Sequence, residues 1–301
     1  MNEREKHIYD LMASAHHPQV NSIVVWEKGG IKAECYFNGF NAKSRHVIQS
    51  VVKSIISIGI GAAQDEGMLN VNDKILKYLP EFAEQRDLRH RLIKIEHLLT
   101  MTSGIYWQGG VHYHCPMMQA MRRSKNWTGY IADCRVKDMP GTVYNYKEFD
   151  VILLSAILSK ATGDAFDYIN DKLFLPLGIS NERWYQSPDG VYYSPAPEKE
   201  FETASALTAI EMVKIGQLFL QKGEWNGKRI ISEAYIESAI RPSPANPGYG
   251  YLWWLGEGWY GARGFGGQTI TVFPEKEKIV VTQASVTDRP LSYDDIYFAE
   301  I

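Results

Sequence analysis

The stretch SVVKSIISIGIGAA, from Ser50 to Ala63, constrains this chain more than any other. Val51, Val52, Ile55, Ile56, Ile58, Ile60, Ala62 and Ala63 leave no wide polar face at the helical repeat, so a helix beginning near Ser50 has to be covered on all sides. Gly67, just past a charged end, suits the C′ position that closes such a helix. Covering it takes a large core, and the 301 residues correspond to two domains or one large one at about 150 residues each. With 45% hydrophobic and 22% charged residues, disorder, collagen-like repeats and coiled coil are excluded.

The elements around that helix change character along the chain. NSIVVWEKGGIKAECYFNG reads as a hairpin near residues 21 to 38, with its turn at Lys28, Gly29 and Gly30. From about 64 to 204, short helical segments alternate with Pro and Gly, among them IKIEHLLTMTSG, FDVILLSAILSKATG and FDYINDKLFLPLG. Thr208 and Glu211 have capping-box spacing and open the helix of EMVKIGQLFLQKG. Strands return in GYGYLWWLG, QTITVF and KIVVTQAS, and SYDDIYFAE suits a last short helix. The expected fold is α/β (α+β): an antiparallel sheet built from both chain ends and flanked by helices, with residues 1–63 and 205–301 forming a discontinuous sheet domain and 64–204 a mainly helical insertion.

A net charge of −3 gives no basic excess for a phosphate backbone, so nucleic acid is not an expected partner. The opening MNEREKHIYDLMASAHH lacks the apolar core and cleavage site of a signal peptide, and no run approaches the roughly 18 apolar residues of a membrane span. A soluble, cytoplasmic protein with no membrane partner is expected. Cys35, Cys115 and Cys134 are odd in number and scattered, which fits a reducing compartment and no disulfide framework.

Ser50 and Lys53 stand at i and i+3, where one helical turn brings a hydroxyl and an amine together. A serine attacks carbonyls only when a base takes its proton, and a lysine serves only if desolvation or nearby positive charge lowers its pKa; the apolar run is expected to supply that desolvation. At a helix N-terminus, the backbone amides also favour an oxyanion beside Ser50. The spacing alone occurs about once by chance in a chain of this length. The plainer reading is an N-cap serine with a snorkelling lysine. Against it, Lys53 is enclosed by Val51, Val52, Ile55 and Ile56, where a structural lysine would bury a charge for no gain.

With these residues in place, the chain resembles the β-lactamase-related serine hydrolases, the group of class C β-lactamases, D-alanyl-D-alanine carboxypeptidases, carboxylesterases and 6-aminohexanoate-oligomer hydrolases. SVVKSIISIGIGAAQDEGMLNVNDKILKYLPEF is similar to the nucleophile helix and its sequel, IEHLLTMTSGI to the recurrent HLLTMTSG stretch, and PGTVYNYKEFDVILLSAIL to the PGTxFxYSN segment. LFLPLGI, LTAIEMVKIGQLFL and GFGGQTITVFPE also have counterparts in the same order. The resemblance implies a β-lactamase/transpeptidase-like fold, an acyl-enzyme on Ser50, Lys53 as its activating lysine and Tyr146 as a second proton-transfer group, with Tyr144 as a core aromatic. It implies no cofactor, and a small-molecule or short peptide substrate.

Two departures bear on specificity. Glu148 stands where many relatives end the second motif with Asn, and a carboxylate accepts hydrogen bonds without donating them. Phe265-Gly266-Gly267 replaces Lys-Thr-Gly in the third motif, keeping glycines for close approach of a strand to substrate but losing the cation. Arg263, two residues earlier, is expected to face the same side and to replace that charge. The amide of Gln268, or of Gly267 if the register slips, is the expected second oxyanion donor. The balance favours an esterase or amidase over an efficient β-lactamase; the alternatives are a catalytically weak penicillin-binding relative and, further off, a metal-dependent hydrolase using His112 and His114. No further metal ligands with suitable spacing follow that pair, so no metal is expected. His97 reads as structural, and MRRSK at 121–125 as a solvated basic turn. Of the dense aromatics Tyr106, Trp107, Tyr113, Trp127 and Tyr130, with Tyr249, Tyr251, Trp253, Trp254, Trp259 and Tyr260, some are core by default; if both groups flank the cleft between the halves, they make a broad apolar pocket. Oligomeric state is left open.

Overall fold

The computed structural model describes residues 1–15, 17–109, 115–193 and 205–287. Strands β1 (Val20–Glu27) and β2 (Gly30–Tyr36) form the expected hairpin. Its two-residue loop places Lys28 at φ 45° and Gly29 at φ 83°, the left-handed pair whose twist matches that of the strands it joins. The chain end supplies β3 (Trp254–Gly256), β4 (Trp259–Gly264), β5 (Gln268–Phe273) and β6 (Lys278–Ala284). All six strands make one antiparallel sheet in the order β2-β1-β6-β5-β4-β3, so strands from both chain ends meet where β1 pairs with β6.

Strand β4 escapes the sequence reading because Gly261 and Gly264 weaken its β signal. Conversely, only Trp254 to Gly256 of GYGYLWWLG joins the sheet. Before it, Leu252 sits at φ 62°, donates its amide to Leu99 and accepts from the Ser54 hydroxyl. The helix expected over 292–300 lies outside the described residues.

Helix α1 (Glu3–Ala15) covers one face of the sheet through Ile8 and Met12, which pack on Ile23, Val25 and Val280. The opposite face, with Val24, Ala262, Ile270 and Val281, packs on α2 (Val51–Asp65) and α8 (Ala209–Leu220). Between the two strand groups lie α3 (Ile95–Leu99), α4 (Pro116–Arg123), α5 (Trp127–Ala132), α6 (Glu148–Thr162) and α7 (Ala165–Ile169); α9 (Glu233–Ala239) follows α8. The capping box forms at α8, with Thr208 Oγ1 accepting from the Glu211 amide at 3.2 Å and Glu211 Oε2 from the Thr208 amide at 2.8 Å.

Every residue of α2 from Val51 to Ala63 is buried, as its pattern requires. Two glycines let its neighbours close in: a Cβ at Gly59 would lie 2.9 Å from Ile169 and Leu158, and one at Gly61 2.5 Å from Ile231 and Tyr235. The helix ends at Asp65, with Gly67 at φ 73° beyond it. At the other end, Gln49 adopts φ 53°, a left-handed conformation costing a non-glycine residue about 1–2 kcal/mol, which turns the chain so that Ser50 starts the helix.

The sheet reaches this corner through Gly264, where a Cβ would stand 2.3 Å from the Ile48 carbonyl oxygen and 3.1 Å from the Gln49 Cβ. Gly264→Ala is therefore expected to cost about 1–3 kcal/mol by overpacking. That corresponds to a Tm several degrees lower in a scanning thermal melt, and a variant melting with the wild type would show that the approach is not tight.

Candidate active site

Ser50 occupies the N-cap position of α2, yet its side chain makes no capping hydrogen bond. Its Oγ instead accepts from Lys53 Nζ at 2.8 Å. Lys53 does not snorkel: it is 4% exposed and pairs with Glu148, Nζ to Oε1 at 2.8 Å. Tyr193, from the short strand Tyr192–Tyr193, donates its hydroxyl to the other carboxylate oxygen of Glu148 at 2.7 Å. Tyr146 presents its ring to Lys53, with Nζ 5.1 Å from the centroid, and is braced by Trp254 and Tyr249 at centroid distances of 5.8 and 6.3 Å. The expected nucleophile, amine and phenol thus converge from elements far apart in sequence. Tyr144 packs on Tyr249 at 5.2 Å, as a core aromatic does.

The protonation states differ from the expectation. Burial draws Lys53 toward the neutral amine, but the Glu148 carboxylate outweighs it, and the lysine stands above its ordinary value, not below. The apolar run does desolvate Lys53; what it does not reveal is the carboxylate 95 residues away that faces the amine. Tyr146 is also raised, because burial outweighs the lysine cation and the hydrogen bonding from Ser50 and Lys53 that favour its phenolate. At rest the site therefore holds an ammonium and a neutral phenol.

A second buried cluster fixes the start of α6. Lys147 Nζ donates to Ser103 Oγ at 3.0 Å, Ser103 Oγ donates to Asp150 Oδ1 at 2.6 Å, and Lys147 and Asp150 approach to 3.7 Å. Lys147 and Asp150 are 1% and 0% exposed. Burial lifts the Asp150 carboxyl above its ordinary value even against the pull of Lys147. With the Asn145 amide bonded to the Met101 carbonyl at 2.9 Å, the cluster fastens the LTMTSG segment to the loop that carries Tyr146 and Glu148. His97 is structural, its Nδ1 accepting from the Lys94 amide at 3.2 Å at the start of α3.

The third motif is a turn. Pairing of Gly264 with Gln268 fixes the register left open by the sequence and makes Phe265-Gly266-Gly267 a three-residue hairpin loop. Gly266 and Gly267, at φ 80° and 100°, are there for the turn; the close approach belongs to Gly264. Phe265 lines the cavity beside Ser50. The Gln268 side chain is buried and donates Nε2 to the Ala284 carbonyl at 2.6 Å, leaving its backbone as the part available to the site. Arg263 also lines the cavity, but its guanidinium turns back along β4, donating to Thr271 Oγ1 at 2.6 Å and stacking on Trp259 at 4.6 Å. Its charge thus lies toward residues 259–261, away from the Phe265 turn.

The cavity measures about 530 Å³. Trp107, Met118, Tyr146, Tyr193, Trp254 and Phe265 give it apolar walls, while Ser50, Glu148, Lys147, Arg122 and Arg263 add polar groups. Of the expected aromatic rim, Trp107 and Trp254 line it. Trp127, Tyr249, Trp253 and Tyr260 are core residues, because rings of that size fill the space behind the site, and Tyr113 lies outside the described residues. MRRSK is likewise no simple turn: Met121 to Arg123 end α4, and Arg122 reaches the cavity. Hydrophobic spacing in PMMQAMRR was the available signal. Tyr193 and Lys147 had no local signal. His112 and His114 lie outside the described residues, and among the described residues no three His, Cys, Asp or Glu side chains gather as a metal site.

The family profile described as Beta-lactamase matches residues 5–297. The chain belongs to that family. The penicillin-binding protein of Bacillus halodurans superposes with a TM-score of 0.73 at 17% identity, over 98% of this chain and 99% of its own. EstCE1, described as a hydrolase with promiscuous acyltransferase activity, gives 0.70 at 16% identity, over 94% and 92%. These likenesses establish the β-lactamase/transpeptidase-like fold. The D-alanyl-D-alanine-carboxypeptidase/endopeptidase AmpH of Escherichia coli is 27% identical over 144 residues, 47% of this chain and 37% of AmpH. The chain is thus a member of a family of serine hydrolases and penicillin-binding proteins.

The buried cluster at α6 yields a stability test. Asp150→Leu, which strands the Lys147 ammonium, is expected to cost about 3–5 kcal/mol in urea unfolding, whereas Lys147→Met combined with Asp150→Leu costs less because no lone charge stays buried. Equal losses in the two variants would show that the charges are not coupled.

Proposed function

We propose that this chain is a serine hydrolase that forms an acyl-enzyme on Ser50 and cleaves an ester, amide or lactam bond, with ester or amide cleavage favoured over efficient β-lactam hydrolysis. The observation that carries this reading is the 2.8 Å contact between Ser50 Oγ and the buried Lys53 Nζ at the wall of an open apolar cavity. Oγ attacks the carbonyl carbon, the bond to the leaving group breaks, and a water molecule later takes the place of the leaving group to release the acid. Lys53 and Tyr146 share the proton transfers. The backbone amides of Ser50 and Gln268 hold the oxyanion, a term worth several kcal/mol in such sites. Support for Gln268 comes from its pairing with Gly264, the residue that abuts Ile48 and Gln49.

The ester or amide preference rests on charge. Phe265 stands where a lysine would meet a substrate carboxylate, and the Arg263 guanidinium is engaged by Thr271 and Trp259. Apolar walls suit a hydrophobic acyl or alcohol group in a small molecule or short peptide. The three cysteines are free thiols, which supports a reducing, cytoplasmic setting; among the described residues no helix is long and apolar enough to cross a membrane. A second reading, a ligand-binding relative with weak catalysis, draws on the resting ammonium of Lys53 and neutral phenol of Tyr146.

Intact-mass analysis with a fluorophosphonate decides between them. The wild type is expected to gain one probe mass on the peptide holding Ser50, Ser50→Ala none, and Tyr146→Phe to label and to turn over short-chain esters about 100-fold or more slower. A wild type that no fluorophosphonate, penicillin or ester acylates is the binding relative instead.

A further inference from the structure

This inference rests on the serine-hydrolase reading and concerns where the nucleophile's proton goes. We infer that Glu148 completes a Ser50–Lys53–Glu148 proton relay, its carboxylate holding the Lys53 proton while the freed amine accepts the proton of the serine. The contacts are continuous: Lys53 Nζ is 2.8 Å from Ser50 Oγ and 2.8 Å from Glu148 Oε1, and the Tyr193 hydroxyl pins Oε2 at 2.7 Å. Glu148 is 18% exposed and lines the cavity, so substrate entering there covers the pair.

An ammonium that donates to Ser50 has no lone pair with which to take the hydroxyl proton. Moving one proton from Nζ to Oε1 converts the ion pair to an amine and a carboxylic acid without importing a proton from solvent. Water favours the charged form, and a substrate that displaces it narrows the difference. The Ser50 proton then passes to Nζ as Oγ bonds the carbonyl carbon and the carbonyl π pair moves to oxygen. On collapse the bond to the leaving group breaks, that group takes the Tyr146 hydroxyl proton as the phenol oxygen takes one from Nζ, and Glu148 returns its proton to the amine. Deacylation repeats the cycle with water in place of the serine.

The other groups around the pair do not take this role. Tyr146 faces the lysine as a neutral phenol, Lys147 is engaged by Ser103 and Asp150, and the Arg263 guanidinium is bonded to Thr271. Arg122 lines the same cavity as a cation and holds no proton-accepting group. Glu148 acts through Lys53, as a positioning residue that also stores the proton.

The test uses the full chain with a short-chain ester. Glu148→Gln keeps the shape and can still accept from Lys53, its NH2 now donating to the Tyr193 hydroxyl, but it cannot take the proton, and it is expected to lower kcat about 100-fold or more at pH 7 while KM changes only about threefold or less. Its residual rate should climb with pH, because a buried lysine without its carboxylate loses its proton more readily. Glu148→Asp should keep the wild-type shape of the pH profile. In mixtures of light and heavy water, the wild-type rate should depend on deuterium content along a curve, two protons being in flight, and the Gln variant along a straight line. A Gln variant as active as the wild type with an unchanged profile overturns the relay, and so does a straight wild-type dependence. Should Glu148→Gln fail to fold, the wild-type curve and Glu148→Asp decide. A wild type with neither turnover nor a labelled Ser50 overturns the hydrolase reading and the relay with it, whereas an active wild type indifferent to Glu148→Gln overturns the relay alone.

Discussion

The burial of one ammonium organises this molecule. Lys53 lies in the first turn of a helix whose sides are closed by aliphatic neighbours, and a cation there without a counter-charge would cost several kcal/mol. The charge is met by Glu148, which begins a different helix 95 residues later. That requirement fixes the distance between α2 and α6, and with it the position of Tyr146 two residues before Glu148. Ser50, Lys53 and Tyr146, from two segments, are thus held together by an interaction that also satisfies a buried charge.

The surroundings are built to keep those groups still. Gln49 is held left-handed before Ser50, Gly264 brings the sheet against the same corner, and the Ser103, Lys147 and Asp150 cluster fastens the loop carrying Tyr146. Behind the cavity, Tyr249 supports both Tyr146 and Trp254. The proposed reaction depends on donors and acceptors already in place before charge develops, and these contacts limit how far any of them can move.

The electrostatics give the site its individual character. In a simple serine and lysine pair the amine would be the base; here an acid partner keeps it charged at rest. The cavity walls are apolar, and the arginine that lines them turns along the sheet, away from the third motif.

Sequence by itself determined what periodicity and short-range spacing encode: the buried helix from Ser50, the serine and lysine one turn apart, the Lys28–Gly29 turn, the Thr208 capping box, a sheet drawn from both chain ends and the family resemblance. Each depends on residues within a few positions of one another or on a motif read whole. Tertiary structure alone decided the rest. It turned Glu148 from a substrate-recognition position into the partner of Lys53, reversed the direction in which that lysine's affinity for protons is shifted, brought Tyr193 and Arg122 to the cavity, made the third motif a hairpin turn and sent Trp127, Tyr249, Trp253 and Tyr260 into the core. Proton affinity and cavity shape depend on what lies within a few ångströms, and for these residues the neighbours come from tens of residues away along the chain, where no local pattern records them.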